Sequence, residues 1–119
     1  MKENVIVSKS ENFAVRIVNL FKILQSERKE FIMSKQLLRC GTSIGANVAE
    51  SQEAQSDSDF IAKLYISLKE CRETLYWLKI LFRTEYLSET EYRSISDDSI
   101  EIKHILSSII LTKKKMGSK

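Results

Sequence analysis

The chain has 119 residues, of which 43% are apolar and 29% charged, and it contains no proline. This composition excludes an intrinsically disordered chain, and the length is enough for one domain with a hydrophobic core. The formal charge of +3, from 19 basic and 16 acidic residues, is small for a dedicated nucleic-acid-binding domain, so any binding surface must come from spatial arrangement.

Four helices are predicted within a single domain, residues 1–119, at approximately 9–26, 34–53, 57–84 and 89–114. Three of the predicted helix starts have a serine three residues before an acidic residue, the spacing of a helix N-cap. These pairs are Ser8 with Glu11, Ser56 with Asp59, and Ser88 with Glu91.

Apolar residues recur at steps of three and four in each predicted helix, which indicates one buried face per helix. The expected core positions are Phe13, Ile17, Leu20 and Leu24, then Leu37, Cys40, Ile44 and Val48, then Ile61, Leu64, Leu68, Cys71, Leu75, Leu78 and Phe82, and finally Ile95, Ile102, Leu106 and Ile109. Short connections make sequential helices antiparallel neighbours. The predicted fold is therefore all-α, an up-down-up-down four-helix bundle.

The second helix contains a stripe of small residues, Gly41, Gly45 and Ala49, which recur every fourth position. Each glycine costs a helix interior about 1 kcal/mol relative to alanine. We expect the compensation to be another backbone that approaches closely.

The third helix carries apolar residues outside its core seam, with Phe60, Trp77 and Leu81 beside the seam and Ile66 and Ile80 on the far side. Exposed apolar surface usually marks an interface. We expect a homo-oligomer with Ile66, Trp77 and Ile80 as interface candidates. The alternative is a wide seam, with Trp77 covering the edge of the core.

The same helix also predicts a surface stripe of alternating cations and aromatics, whose side chains could meet phosphates and stack on bases. Its members are Tyr65, Lys69, Arg72, Tyr76, Lys79 and Arg83. A run of Lys113, Lys114 and Lys115 near the C-terminus has the same potential. The alternatives are cations that pair with acids of the next helix and a solvated helix end.

Nothing in the sequence predicts catalysis, a cofactor or a metal. Two Glu-x-x-Glu pairs, Glu50/Glu53 and Glu70/Glu73, are not expected to converge in the core as magnesium ligands would. The single histidine, His104, has no partners for a catalytic triad. Cys40 and Cys71 lie on apolar faces and are expected to be reduced core residues. With no membrane span or secretory signal in the sequence, we expect a cytoplasmic protein.

The segment from Glu30 to Leu81 resembles the bacterial four-helix-bundle proteins encoded by intervening sequences in 23S rRNA genes. Relatives include the accessory variability proteins of diversity-generating retroelements. The matching elements are Gln36-Leu37, Arg39, Ser43-Ile44, Ala46-Asn47-Val48-Ala49-Glu50, Ser56 and Phe60-Ile61. The chain departs from the family pattern at Gly45, where proline is frequent, and at Ser51, where glycine is frequent.

The resemblance implies an antiparallel bundle that assembles into a ring, typically a homopentamer, with a non-catalytic role. The retroelement relatives bind RNA and a reverse transcriptase through basic surfaces. Asn47 and Glu50 are the polar residues of the family signature, and we favour a structural role for them.

Two functional hypotheses follow from these observations. The first is an oligomeric accessory factor that binds RNA. The second is a protein-interaction or structural bundle without nucleic-acid binding, in which the same cations only solvate the surface.

Overall fold

Four α-helices make up the described chain: α1 (Lys2–Ser26), α2 (Met33–Ser51), α3 (Asp57–Arg83) and α4 (Glu89–Gly117). The computed structural model describes residues 2–117, with side chains from residue 5 onward. The described residues contain no β-strand, which confirms the predicted all-α class.

Each helix packs against its neighbour in sequence, and α1 and α4 close the bundle. Between α1 and α4, Lys9 pairs with Glu101 while Arg28 pairs with Glu91, so the two helices run in opposite directions. The same reversal relates α2 to α3 and α3 to α4. The contacts therefore describe the antiparallel bundle that the hydrophobic spacing predicted.

The predicted capping signals of α3 and α4 form. The Asp59 N–H donates to Ser56 Oγ at 3.1 Å. At the start of α4, the Glu91 N–H donates to Ser88 Oγ at 3.2 Å while the Ser88 N–H donates to Glu91 Oε1 at 2.9 Å. The second arrangement is a complete capping box, which binds two of the amide groups that a helix start leaves without partners.

The predicted start of α1 near Ser8 was wrong, because the helix begins at Lys2. Ser8 and Glu11 therefore lie inside the helix, where they cannot cap its N-terminus. Ile6 is only 1% exposed and continues the core stripe of Phe13 one heptad earlier, which explains why the earlier residues join the helix.

The core contains almost all the predicted seam residues, with Leu20, Ile61, Leu75 and Phe82 only partly buried. Leu81 was predicted to lie outside the seam, but it is fully buried in the core. Phe60 and Trp77 pack against the edge of the core. The buried face of α3 is thus wider than its heptad pattern indicated, and less apolar surface is left for an interface.

The two cysteines are buried free thiols. Burial raises the pKa of the Cys40 thiol to about 11. The thiolate is the reactive form of cysteine, so a thiol with a raised pKa is unreactive at neutral pH. Cys40 therefore serves as a small core residue.

Both glycines of α2 allow α1 to approach closely, but the predicted backbone neighbour is found only at Gly45, since the neighbour of Gly41 is a side chain. A Cβ at Gly45 would lie 3.0 Å from the backbone oxygen of Ser10, and a Cβ at Gly41 would lie 2.8 Å from Ile17 Cγ1. The third member of the predicted stripe, Ala49, is exposed, so the contact with α1 involves only the two glycines.

The start of α2 is held by a buried carboxylate that the sequence analysis missed. Glu30 Oε1 accepts from the Ser34 N–H at 2.6 Å, and Oε2 accepts from the N–H groups of Met33 at 3.0 Å and Ile32 at 3.2 Å. Burial raises the pKa of Glu30, but the three backbone donors outweigh it and leave the pKa below its usual value. The ionised carboxylate therefore stabilises the α1–α2 connection.

Candidate nucleic-acid interface

The basic and aromatic stripe of α3 lies on the outer surface of the bundle. All six members are exposed because their spacing of three and four residues keeps them on one side of the helix. They are Tyr65, Lys69, Arg72, Tyr76, Lys79 and Arg83. The stripe follows α3 for most of its length.

The four cations of this stripe have no acidic partner within 4.0 Å among the side chains of residues 5–117. Between neighbouring helices, the described ion pairs connect α1 with α4, α2 with α3, and the start of α3 with the end of α4. The alternative in which the stripe cations bind acids of the next helix is therefore not realised within one chain. Unpaired cations on one face create a positive potential that attracts phosphate.

The C-terminal lysines lie beside the start of α3. The Lys113 ammonium is 3.8 Å from an Asp57 carboxylate oxygen and 5.0 Å from the centre of the Phe60 ring. Lys114 donates a hydrogen bond to the Tyr65 hydroxyl at 2.6 Å and lies 5.0 Å from the centre of that ring. Lys114 thus extends the α3 stripe onto α4, whereas Lys113 is committed to an ion pair.

Helix α4 contributes another cation, Lys103, that sequence spacing did not select. Burial raises the pKa of the Cys71 thiol, while a hydrogen bond with Ser99 and the positive charges of Lys103 and Arg72 partly oppose the increase. The positive charges of Lys103 on α4 and Arg72 on α3 thus act on the same thiol. We call the α3 stripe, together with Lys114 and Lys103, the basic face. Lys103 could be assigned to it only from the packing of α4 on α3.

The signature polar residues lie away from this face and make local contacts. Asn47 Nδ2 donates to the backbone oxygen of Ser43 on the same helix at 2.9 Å. The exposed carboxylate of Glu50 lies 3.7 Å from the Lys63 ammonium. Each of the two residues thus has a contact within its own chain.

The Glu70/Glu73 pair does converge, at the surface between α2 and α3 rather than in the core. Glu70 accepts from Arg39 Nη1 at 3.3 Å, and Glu73 accepts from the other guanidinium nitrogen of Arg39. Glu73 also accepts from Trp77 Nε1 at 3.1 Å. Both carboxylates thus bind an arginine, and the described residues contain no cluster of acidic, histidine or cysteine side chains suited to a metal ion.

The three interface candidates differ in exposure. Ile66 is 42% exposed, whereas Trp77 and Ile80 are half-buried in the single chain. The Tyr76 and Trp77 rings meet edge to face, with centres 5.1 Å apart. Ile66 is therefore the candidate that contributes most to an exposed apolar surface.

The fold and this surface define a class of small helical bundles that present a basic face. No helix within the described part of the chain could cross a membrane. The family model described as "23S rRNA-intervening sequence protein" matches residues 2–108, and the chain belongs to this family.

A solved structure has the same fold. It is a protein of unknown function from the S23 ribosomal protein family of Bacteroides thetaiotaomicron. The two are 61% identical, with a TM-score of 0.92, over 92% of this chain and 98% of that one. A comparison with curated proteins found no match.

Proposed function

We propose that this protein is a non-catalytic, homo-oligomeric accessory factor that binds RNA through the basic face formed by α3 and the end of α4. The observation that carries the proposal is the set of exposed cations on α3 without described acidic partners, interleaved with two exposed tyrosines. Membership of a family named for an rRNA intervening sequence supports RNA as the nucleic acid.

The charge of this face is best tested by a salt titration of RNA binding. Each cation that contacts a phosphate contributes about 0.7–0.9 to the slope of log affinity against log salt concentration. A variant with Lys69→Gln, Arg72→Gln and Lys79→Gln should therefore bind a fluorescent RNA hairpin more weakly and lower that slope by about 2. Fluorescence anisotropy from about 50 to about 200 mM salt measures both quantities.

A matched control removes the same charge from elsewhere on the bundle. Lys22, Lys29 and Lys35 are exposed on α1, α2 and their connection, and their replacement by glutamine should leave the slope nearly unchanged. Equal losses in both variants would show that only net charge matters. Binding that persists unchanged in the α3 variant would favour the alternative, a protein-interaction bundle without a nucleic-acid role.

We also propose that the protein self-associates, in line with the homopentameric ring that the family resemblance implies, through the surface around Ile66. Ile66→Glu should shift the assembly towards monomer, because a charge would be buried at the contact. Light scattering after size-exclusion chromatography measures the mass. Val15→Glu is the control, since Val15 is 56% exposed on α1, outside the proposed contact. A monomeric wild-type protein, or equal effects of both variants, would contradict this interface.

The cellular context proposed for this activity is the cytoplasm. If the gene accompanies a reverse transcriptase, we propose that the two proteins act on the same RNA. This protein would bind that RNA through its basic face. Co-purification of the two proteins with and without RNase treatment would test this arrangement.

A further inference from the structure

A shallow apolar groove lies between α3 and α4, beside the basic face. Its volume is about 300 Å³, and its lining residues are Tyr65, Leu68, Ser107, Ile110, Leu111 and Lys114. Leu68 and Ile110 are almost fully buried and form the floor, whereas Tyr65 and Leu111 are 44% and 55% exposed. The groove therefore has an apolar floor and an open, partly aromatic rim.

Cations border the groove on both helices. Arg72 lies one helical turn beyond Leu68 on α3, and Lys103 lies one turn before Ser107 on α4. The positive charges of both cations act on the buried Cys71 thiol. A polyanion lying along the α3–α4 boundary would thus meet positive charge next to the apolar groove.

The second exposed tyrosine, Tyr76, belongs to the same exposed stripe of α3. Tyr76 is 55% exposed, and its contact with Trp77 is edge to face rather than stacked. It lies one turn beyond Arg72, which stands between the two tyrosines. Exposed aromatic rings therefore alternate with positive charge along the outer face of α3.

We propose that the groove and Tyr76 accept unpaired bases of a single-stranded RNA segment, while the bordering cations contact its phosphates. This inference depends on the proposed RNA binding and specifies its ligand. A double helix presents phosphates and hydroxyl groups to a protein surface and keeps its bases stacked inside. Its bases therefore cannot enter an apolar groove. Unpaired bases, in contrast, stack on exposed aromatic rings.

The test compares a labelled single-stranded RNA with a duplex of the same length at one salt concentration. Tyr65→Ala and Tyr76→Ala should each weaken single-strand binding by about tenfold and leave duplex binding unchanged. Tyr65→Phe keeps the ring but loses the hydrogen bond from Lys114 to the hydroxyl, so it should bind the single strand more tightly than Tyr65→Ala does. Phe31→Ala is the control, because Phe31 is an exposed aromatic residue, 50% accessible, in the α1–α2 connection.

The possible outcomes distinguish failure of this inference from failure of the proposed function. Equal affinity for the two RNAs, or alanine variants that bind the single strand as the wild type does, would overturn the base-binding groove and leave RNA binding intact. Failure to bind either RNA would overturn both. Circular dichroism confirms that the variants remain helical.

Discussion

Replacing Glu30 with alanine is expected to lower the free energy of unfolding by about 2 kcal/mol or more, because backbone donors at the start of α2 would lose their acceptor inside the protein. Glu30 is 6% exposed and accepts from three consecutive N–H groups. Urea denaturation followed by circular dichroism measures the loss. Glu27→Ala is the control, since Glu27 is exposed at the end of α1 and its removal should change stability by less than about 0.5 kcal/mol.

The same carboxylate predicts a dependence of stability on pH. The folded-state pKa of Glu30 is lowered, and the Arg28 guanidinium, with the amide of Ser88, lowers the pKa of Glu91 to about 2. Their stabilising contributions are complete above the unfolded-state pKa, about 4.3 for glutamate, and are lost as pH falls towards the folded-state values. Glu30→Gln should therefore be less stable than the wild type at neutral pH, and this difference should shrink in acid. A constant difference across that range would contradict the role of the ionised carboxylate.

Gly41→Ala is expected to destabilise the bundle by up to about 2 kcal/mol even though alanine favours helix formation. The new Cβ would lie 2.8 and 2.9 Å from two carbons of Ile17, which is fully buried and stiff because it is β-branched. Overpacking of this kind costs about 1–3 kcal/mol, against a gain of about 1 kcal/mol in helix propensity. Thermal and urea denaturation give the net effect.

A double-mutant cycle tests the physical cause. In an Ile17→Ala background the clash is absent, so Gly41→Ala should become neutral or stabilising by about 1 kcal/mol. Gly117→Ala is the control, because a Cβ there meets nothing within 4 Å. The same loss in both backgrounds would show that contact with Ile17 is not the cause.

Gly45 presents a different constraint from Gly41, because its neighbour is the backbone of Ser10 rather than a side chain. A rotamer change cannot relieve that contact, and α1 itself would have to move. The proline frequent at this position in the family is replaced here by a residue that lets α1 approach closely. The close approach was predictable from the spacing of the glycines, but the partner helix was not.

Local features of the fold were predictable because they depend on residues close in sequence. The caps at Ser56 and Ser88 each require a partner only three residues away, and the core stripe of α2 from Leu37 to Val48 follows from helical periodicity. The exposed stripe of α3 was found in the same way. These features yielded the bundle, whereas the family was identified from the resemblance of residues between Glu30 and Leu81.

Contacts between helices were not predictable from such patterns. The start of α1 was misplaced because the burial of Ile6 depends on the other helices, and Leu81 was assigned outside the core because its burial depends on how those helices pack. Glu30 gave no capping signal because its carboxylate reaches amides through a turn rather than standard cap spacing. Lys103 could be assigned to the basic face only from the way α4 packs against α3.

The sequence by itself thus determined that the chain forms amphipathic helices, where two of them begin, and which side of α3 carries positive charge. The tertiary structure alone decided which helix touches Gly41, what Arg39 binds, and that the charges of Lys103 and Arg72 act on the same thiol. The physical reason is that periodicity specifies which face of a helix is buried, whereas the neighbour of each face is set by packing all four helices at once.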